Sequence, residues 1–158
     1  MEDEMKAKQI VLSLALCLVA AAVCFAADVQ TGTWKLDEAK SKFAPGVAKN
    51  NTVVVEAAGD DIKVTVDGTD ADGKPVHNEW TGKFDGKDYP VTGDPTSDTR
   101  AYKPINARTL ALTVKKGGKV TVTGRTVVSP NDKTRTVTSS GTDPKGKKFK
   151  NVAVYDKQ

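Results

Sequence analysis

The chain has 158 residues, 38% hydrophobic, 28% charged and only 6% aromatic, with a net charge of +4. That length is one domain with material for its own core. Two cysteines and a single histidine exclude a disulfide framework, a thiolate cluster or a histidine-rich metal centre as the organising feature.

The N-terminus carries a processing signal. Lys6 and Lys8 precede an apolar run over 10–26, which ends in Cys24-Phe25-Ala26-Ala27-Asp28. A basic segment, an apolar segment and a small-residue cleavage site describe a secretory signal peptide, helical in itself. Cleavage is expected after Ala26 or Ala27, dividing the chain into a leader, 1–26, and a mature domain, 27–158. The rival reading, an uncleaved anchor, lacks a basic stop-transfer cluster after the run. Glu2, Asp3 and Glu4 are unusual in such a leader, and initiation at Met5 would remove them. Cys17 and Cys24 both lie in the leader, so the mature chain is cysteine-free. Val23 just ahead of Cys24 argues against lipoprotein processing. The expected location is the periplasm or the medium of a bacterium, with no membrane insertion after cleavage.

Alternation dominates the mature chain. Successive residues of a strand point to opposite faces, so a sheet with one dry face shows apolar residues at every second position. Trp34 and Leu36 share a face, as do Ile62, Val64 and Val66. Val76, Asn78, Trp80, Gly82 and Phe84 form another such row, and so do Leu110, Leu112 and Val114, and Phe149, Asn151, Ala153 and Tyr155. Turn residues separate these rows, among them Gly59-Asp60-Asp61, Asp70-Ala71-Asp72-Gly73, Lys116-Gly117-Gly118 and Asp143-Pro144-Lys145-Gly146. The pattern predicts about ten strands: 30–36, 50–58, 61–67, 75–84, 88–92, 99–105, 108–115, 119–129, 133–140 and 147–156. One short helix over 37–43 is expected after strand 1, with Asp37 as its N-cap and Pro45-Gly46 as its stop. The fold class is therefore all-β, a single antiparallel up-and-down barrel.

A shift of 73 residues superposes Val54-Val55 on Val127-Val128, Val64-Thr65 on Val137-Thr138, Gly68-Thr69-Asp70 on Gly141-Thr142-Asp143, Gly73-Lys74 on Gly146-Lys147 and Asn78 on Asn151. Either a duplication or two hairpins with one turn requirement produces this. Charge is divided too. Residues 27–99 hold 8 Lys/Arg against 14 Asp/Glu, and residues 100–158 hold 14 against 3. A wall built from the second half would attract anionic partners, and Lys145, Lys147, Lys148 and Lys150 form its densest cluster.

The opening strand Gly32-Thr33-Trp34-Lys35-Leu36 resembles the Gly-x-Trp strand of the calycins, the lipocalins and fatty-acid-binding proteins. The ending Val152-Ala153-Val154-Tyr155-Asp156-Lys157 resembles the closing strand of fatty-acid-binding proteins. The resemblance implies a barrel whose floor is plugged by Trp34 and whose lumen takes a small apolar or amphipathic ligand. It also marks departures. Tyr155 matches the tyrosine that helps hold a ligand carboxylate in that family, but Ala153 stands at the arginine position. The 37–48 insert is too short for that family's helical pair over the portal.

Catalytic machinery is not legible. His77 falls on the wet face beside Glu79, and the carboxylates sit in turns or on that same face, so no catalytic residue, metal ligand or cofactor is assigned. The run Gly68 to Glu79 follows calcium-loop spacing but has glycine at the first ligand position and Pro75 inside, and a hairpin turn is the better reading. Phe149 lies in the dry register, which argues against a base-stacking platform and a nucleic-acid partner. Asn78 and Asn151 stand out as amides on the dry face. The ligand-contacting set is expected to be Trp34, Asn78, Trp80, Asn151 and Tyr155, in an exported, non-enzymatic barrel. The alternative is a filled barrel acting as a structural or interaction protein, with its basic C-terminal half on anionic envelope polymers.

Overall fold

A computed structural model describes residues 27–143 and 145–158; the leader, 1–26, and its cleavage reading lie outside them. Ten strands follow in order: β1 Gly32–Lys42, β2 Lys49–Ala58, β3 Asp61–Thr69, β4 Pro75–Gly82, β5 Tyr89–Thr92, β6 Thr99–Asn106, β7 Thr109–Lys116, β8 Lys119–Val128, β9 Thr134–Thr142 and β10 Lys148–Lys157. Each pairs antiparallel with its neighbours in the chain, and β1 closes on β10 to complete the barrel. Closure leaves no free sheet edge. The weakest seam is β5, which is joined to β4 and to β6 by two residue pairs each.

The helical segment expected over 37–43 is realised as a single bulged turn inside β1. Asp37 pairs with Val154 and Lys42 with Val152, so the residues between them on β1 loop out against Ala153 alone. Asp37 still caps that turn. Its Oδ1 accepts the Lys40 N–H at 3.1 Å, and its carbonyl accepts the Ser41 hydroxyl at 2.6 Å. Pairing with β10 on both sides of the bulge overrides the local helical preference. A helical turn does occur ahead of the barrel, at residues 27–30, where a strand start was expected.

The repeat maps β2–β4 onto β8–β10. Both hairpins use one construction: Asp70 Oδ1 accepts the N–H of Asp72 and of Lys74, and Asp143 Oδ1 accepts the N–H of Lys145 and of Lys147. The carboxylate of Asp70 is thus spent on its own backbone, and the calcium-like spacing is a hairpin turn. The equivalent glycines share a second requirement. A Cβ on Gly68 would lie 2.1 Å from the Lys49 carbonyl oxygen, and one on Gly141 would lie 2.2 Å from that of Thr121. Only glycine allows the neighbouring strand so close.

The core runs through the barrel as one cluster that includes Trp34, Val53, Val55, Val64, Val66, Trp80, Tyr102, Leu110, Val128 and Tyr155. Alternation thus predicts most of the inward set; Val120, expected to share the dry face with Val122, is exposed, because β8 bulges between the two where it pairs with Val114 and Lys115.

Candidate functional site

The lumen has a closed end and a wetter one. At the closed end Trp34 is fully buried, and its indole N–H donates to the Gln30 carbonyl at 2.9 Å. The helical turn at 27–30 therefore lies across the floor, and the Gln30 amide reaches on to the Arg108 carbonyl at 3.4 Å. The floor plug implied for Trp34 is thus a tryptophan held by a turn of helix. At the other end the inward residues Leu36, Leu112, Val114, Val122, Val137 and Phe149 are only half-buried. That end of the core is less fully covered, and its walls are apolar.

All five residues singled out from the sequence face inward and are buried. Trp80 donates its indole N–H to the Arg100 carbonyl at 3.0 Å and packs edge-on against Tyr102, with ring centroids 4.9 Å apart. Phe84 and Tyr89 complete this aromatic group. The two amides differ. Asn151 Oδ1 accepts the Ala44 N–H at 2.9 Å, which ties the β1–β2 connection to the inside of β10, whereas Asn78 Oδ1 is buried without a partner. Asn151 is thus held by the protein itself, and Asn78 keeps an open acceptor.

The dominant chemical feature of the lumen is Arg135. It stands on β9 directly opposite Tyr155 on β10, is 5% exposed, and lies over the Trp34 ring at 5.9 Å. Its Nε and Nη1 have no hydrogen-bond partner, and no carboxylate lies within ion-pair distance among the described residues. Burial pulls its pKa below the ordinary arginine value, against the opposing pull of Tyr102 and Tyr155. An arginine nevertheless keeps its proton, so the lumen holds an uncompensated cation. Burial likewise pushes the Tyr155 phenol up to about 12, although Arg135 works to lower it. Tyr155 is therefore a neutral hydroxyl at physiological pH.

The barrel's other buried arginine shows what compensation looks like. Arg100 donates to Asp94 Oδ2 at 2.8 Å. Burial works to raise the Asp94 pKa, but hydrogen bonds from Ser97 and Thr96 bring it below the ordinary carboxylate range. Arg100 has an acid; Arg135 has none.

No protein-family model matches the chain, and no curated protein matches it either. Among solved structures it is similar to a redesigned β barrel, mFAP1, bound to DFHBI, at 16% identity and a TM-score of 0.48, covering 84% of this chain and 98% of that one. It is also similar to EF1p2_mFAP2b bound to DFHBI, at 12% identity and a TM-score of 0.48, covering 87% and 100%.

Arg135 is the residue that sequence reasoning missed, although the signal was present. It lies in the same alternation register as Val137, on the dry face of β9. Charged side chains ordinarily face water, and Arg135 departs from that rule. The arginine position on the last strand, Ala153, is inward as the resemblance implies, but the guanidinium enters the lumen from the neighbouring strand. His77, by contrast, is exposed as expected, with Nδ1 2.7 Å from Asp67 and Nε2 3.7 Å from Glu79.

Proposed function

We propose that this protein is an exported, non-enzymatic barrel that binds a small amphipathic molecule, acid end inward. One observation carries the reading: Arg135 is a buried cation with two open donors and, among the described residues, no acid. An isolated charge in a low-dielectric interior is strongly unfavourable, and folded proteins pair it or remove it. A ligand carboxylate beside Arg135 supplies the missing charge and accepts the orphaned N–H groups, with the neutral Tyr155 hydroxyl as a further donor. Thr126 Oγ1 and Asn78 Oδ1 are also buried and unpartnered, and they extend the polar surface available to a guest. The apolar, half-wet end lined by Leu36, Leu112, Val137 and Phe149 suits the ligand's hydrocarbon body. The leader sequence supports export, and the position of His77 in an exterior ion-pair row supports a binding role over catalysis.

The test uses an anionic naphthalene sulfonate dye as reporter. Dodecanoate should displace the dye at about tenfold lower concentration than dodecanol, and Arg135→Met should abolish that difference. Equal competition by acid and alcohol in the parent protein would refute the acid-inward reading. Failure of both to compete would refute the carrier reading altogether.

A further inference from the structure

The outer wall of β8, β9 and β10 carries a second site, independent of the lumen. The outward positions of β9 are Thr134, Thr136, Thr138, Ser140 and Thr142, a hydroxyl at every one. Across the ladder Thr138 faces Arg125, Ser140 lies between Thr123 and Lys150, and Thr142 faces Lys148. The result is a central row of hydroxyls flanked by cations on both sides.

This face is also shallowly grooved. An open groove of about 410 Å³ is lined by Arg125, Thr138 and Lys150, and a second of about 340 Å³ by Thr121, Thr142 and Lys148. Thr123 and Ser140 border both, so the two form one trough along the β8–β9 seam. At about 3.3 Å per residue, the stretch from Thr138 to Thr142 alone is roughly 13 Å long. That shape suits a chain more than a compact molecule.

The trough's cations are available. Lys40, Lys49, Lys63, Arg108, Lys115 and Lys116 each have a carboxylate partner. Arg125, Lys148 and Lys150 are exposed and, among the described residues, have none. They sit within the half of the chain that carries 14 Lys/Arg against 3 Asp/Glu. The closed topology places β8–β10 side by side, so these three unpaired cations stand on one face of the barrel and give it a local positive field. Among the described residues the only ring bordering the trough is Phe149, which is half-buried and belongs to the inward register. Stacking is therefore not the mode of recognition, which disfavours nucleic acid.

We propose that this trough binds a linear acidic polysaccharide. Arg125, Lys148 and Lys150 meet the carboxylates along the chain, and the hydroxyls of Thr123, Thr138, Ser140 and Thr142 exchange hydrogen bonds with sugar hydroxyls. A polyhydroxylated anion meets both features of the wall with several hydroxyls on every sugar, whereas an acidic peptide offers the hydroxyl row only one backbone N–H and one C=O per residue.

The test is binding of polygalacturonate to the purified protein, beside neutral dextran and polyglutamate. Polygalacturonate should bind, added salt should weaken it, and dextran should not bind. Replacing all three cations (Arg125→Ser, Lys148→Ser, Lys150→Ser) should weaken binding about tenfold or more, while Lys74→Ser on the opposite half should have no effect. The pair Thr138→Val with Ser140→Ala should weaken polygalacturonate about threefold and leave polyglutamate unchanged. Thermal melting verifies that each variant is folded. The proposal is overturned by absence of polygalacturonate binding at low salt, or by a triple variant that binds like its parent. Polyglutamate binding as tight as polygalacturonate, with no effect of the hydroxyl pair on either, also overturns it and assigns the wall to acidic protein segments.

Discussion

Tyr155 and Arg135 are direct partners across the β10–β9 ladder, and both side chains point into the barrel. In a surface pair that would be a minor contact. Inside the barrel it places a neutral hydroxyl beside a guanidinium that no acid among the described residues neutralises.

Arg135→Met should therefore stabilise the empty protein. Replacing buried ionic groups by apolar ones of similar volume is often stabilising by about 1–4 kcal/mol, and Arg135 offers no partner to be orphaned by its removal. Urea denaturation of the ligand-free protein measures this directly. A loss above about 1 kcal/mol would show that the charge is compensated within the fold and that no ligand is needed to balance it.

Trp34→Ala should destabilise by roughly 3–5 kcal/mol, a large share of a typical total of 5–15. The indole is fully buried and donates to Gln30, so its loss opens a cavity and frees the helical turn from the floor. Trp34→Phe keeps much of the volume and should lose less, chiefly the hydrogen bond, which contributes about 1 kcal/mol. If alanine and phenylalanine are equally tolerated in thermal melting, the floor is not closed by this residue.

Why was so much of the barrel legible, and so little of its chemistry? Ten strands and most of their limits, though not those of β1, follow from alternation and turn residues, because a barrel wall has one dry face and tight reversals that need Gly, Asp or Pro. The inward placement of Trp34, Asn78, Trp80, Asn151 and Tyr155 follows from the same period of two. Arg135 breaks the rule that charge faces water, and that exception is where function is expected to lie. The bulge at Asp37 was hidden for a different reason. Its capping pattern is that of a helix N-terminus, and only the pairing of β1 with β10 on either side of it holds the chain extended.

His77 should titrate above its ordinary value of 6.5. The hydrogen bond to Asp67 raises its pKa most, burial lowers it, and the charges of Asp67 and Glu79 add to the rise. With the folded-state pKa above the unfolded one, the contribution is fully present below the unfolded pKa and is lost as pH rises through the folded value. Chemical-shift titration of the imidazole should show the raised midpoint in the parent and a return toward 6.5 in Asp67→Asn. A parent midpoint at or below 6.5 would mean that the ring does not hold the Asp67 contact in solution.

Asn78 and Asn151 occupy equivalent places in the repeat but should behave differently when replaced by Leu. Asn78 Oδ1 is buried without a partner, so Asn78→Leu removes an unsatisfied acceptor and should be neutral or stabilising in the ligand-free protein. Asn151 Oδ1 holds the Ala44 N–H, the contact that ties the β1–β2 connection to the barrel interior. Asn151→Leu leaves that N–H unpaired and should lower stability by about 1–3 kcal/mol. It should also speed amide exchange at Ala44, because the connection loses its anchor to β10. Denaturation curves of the two single variants, with hydrogen exchange read at Ala44, separate these effects. Equal stability changes in both variants, with unaltered exchange at Ala44, would show that the repeat positions are interchangeable core polar groups and that Asn151 does not anchor the connection.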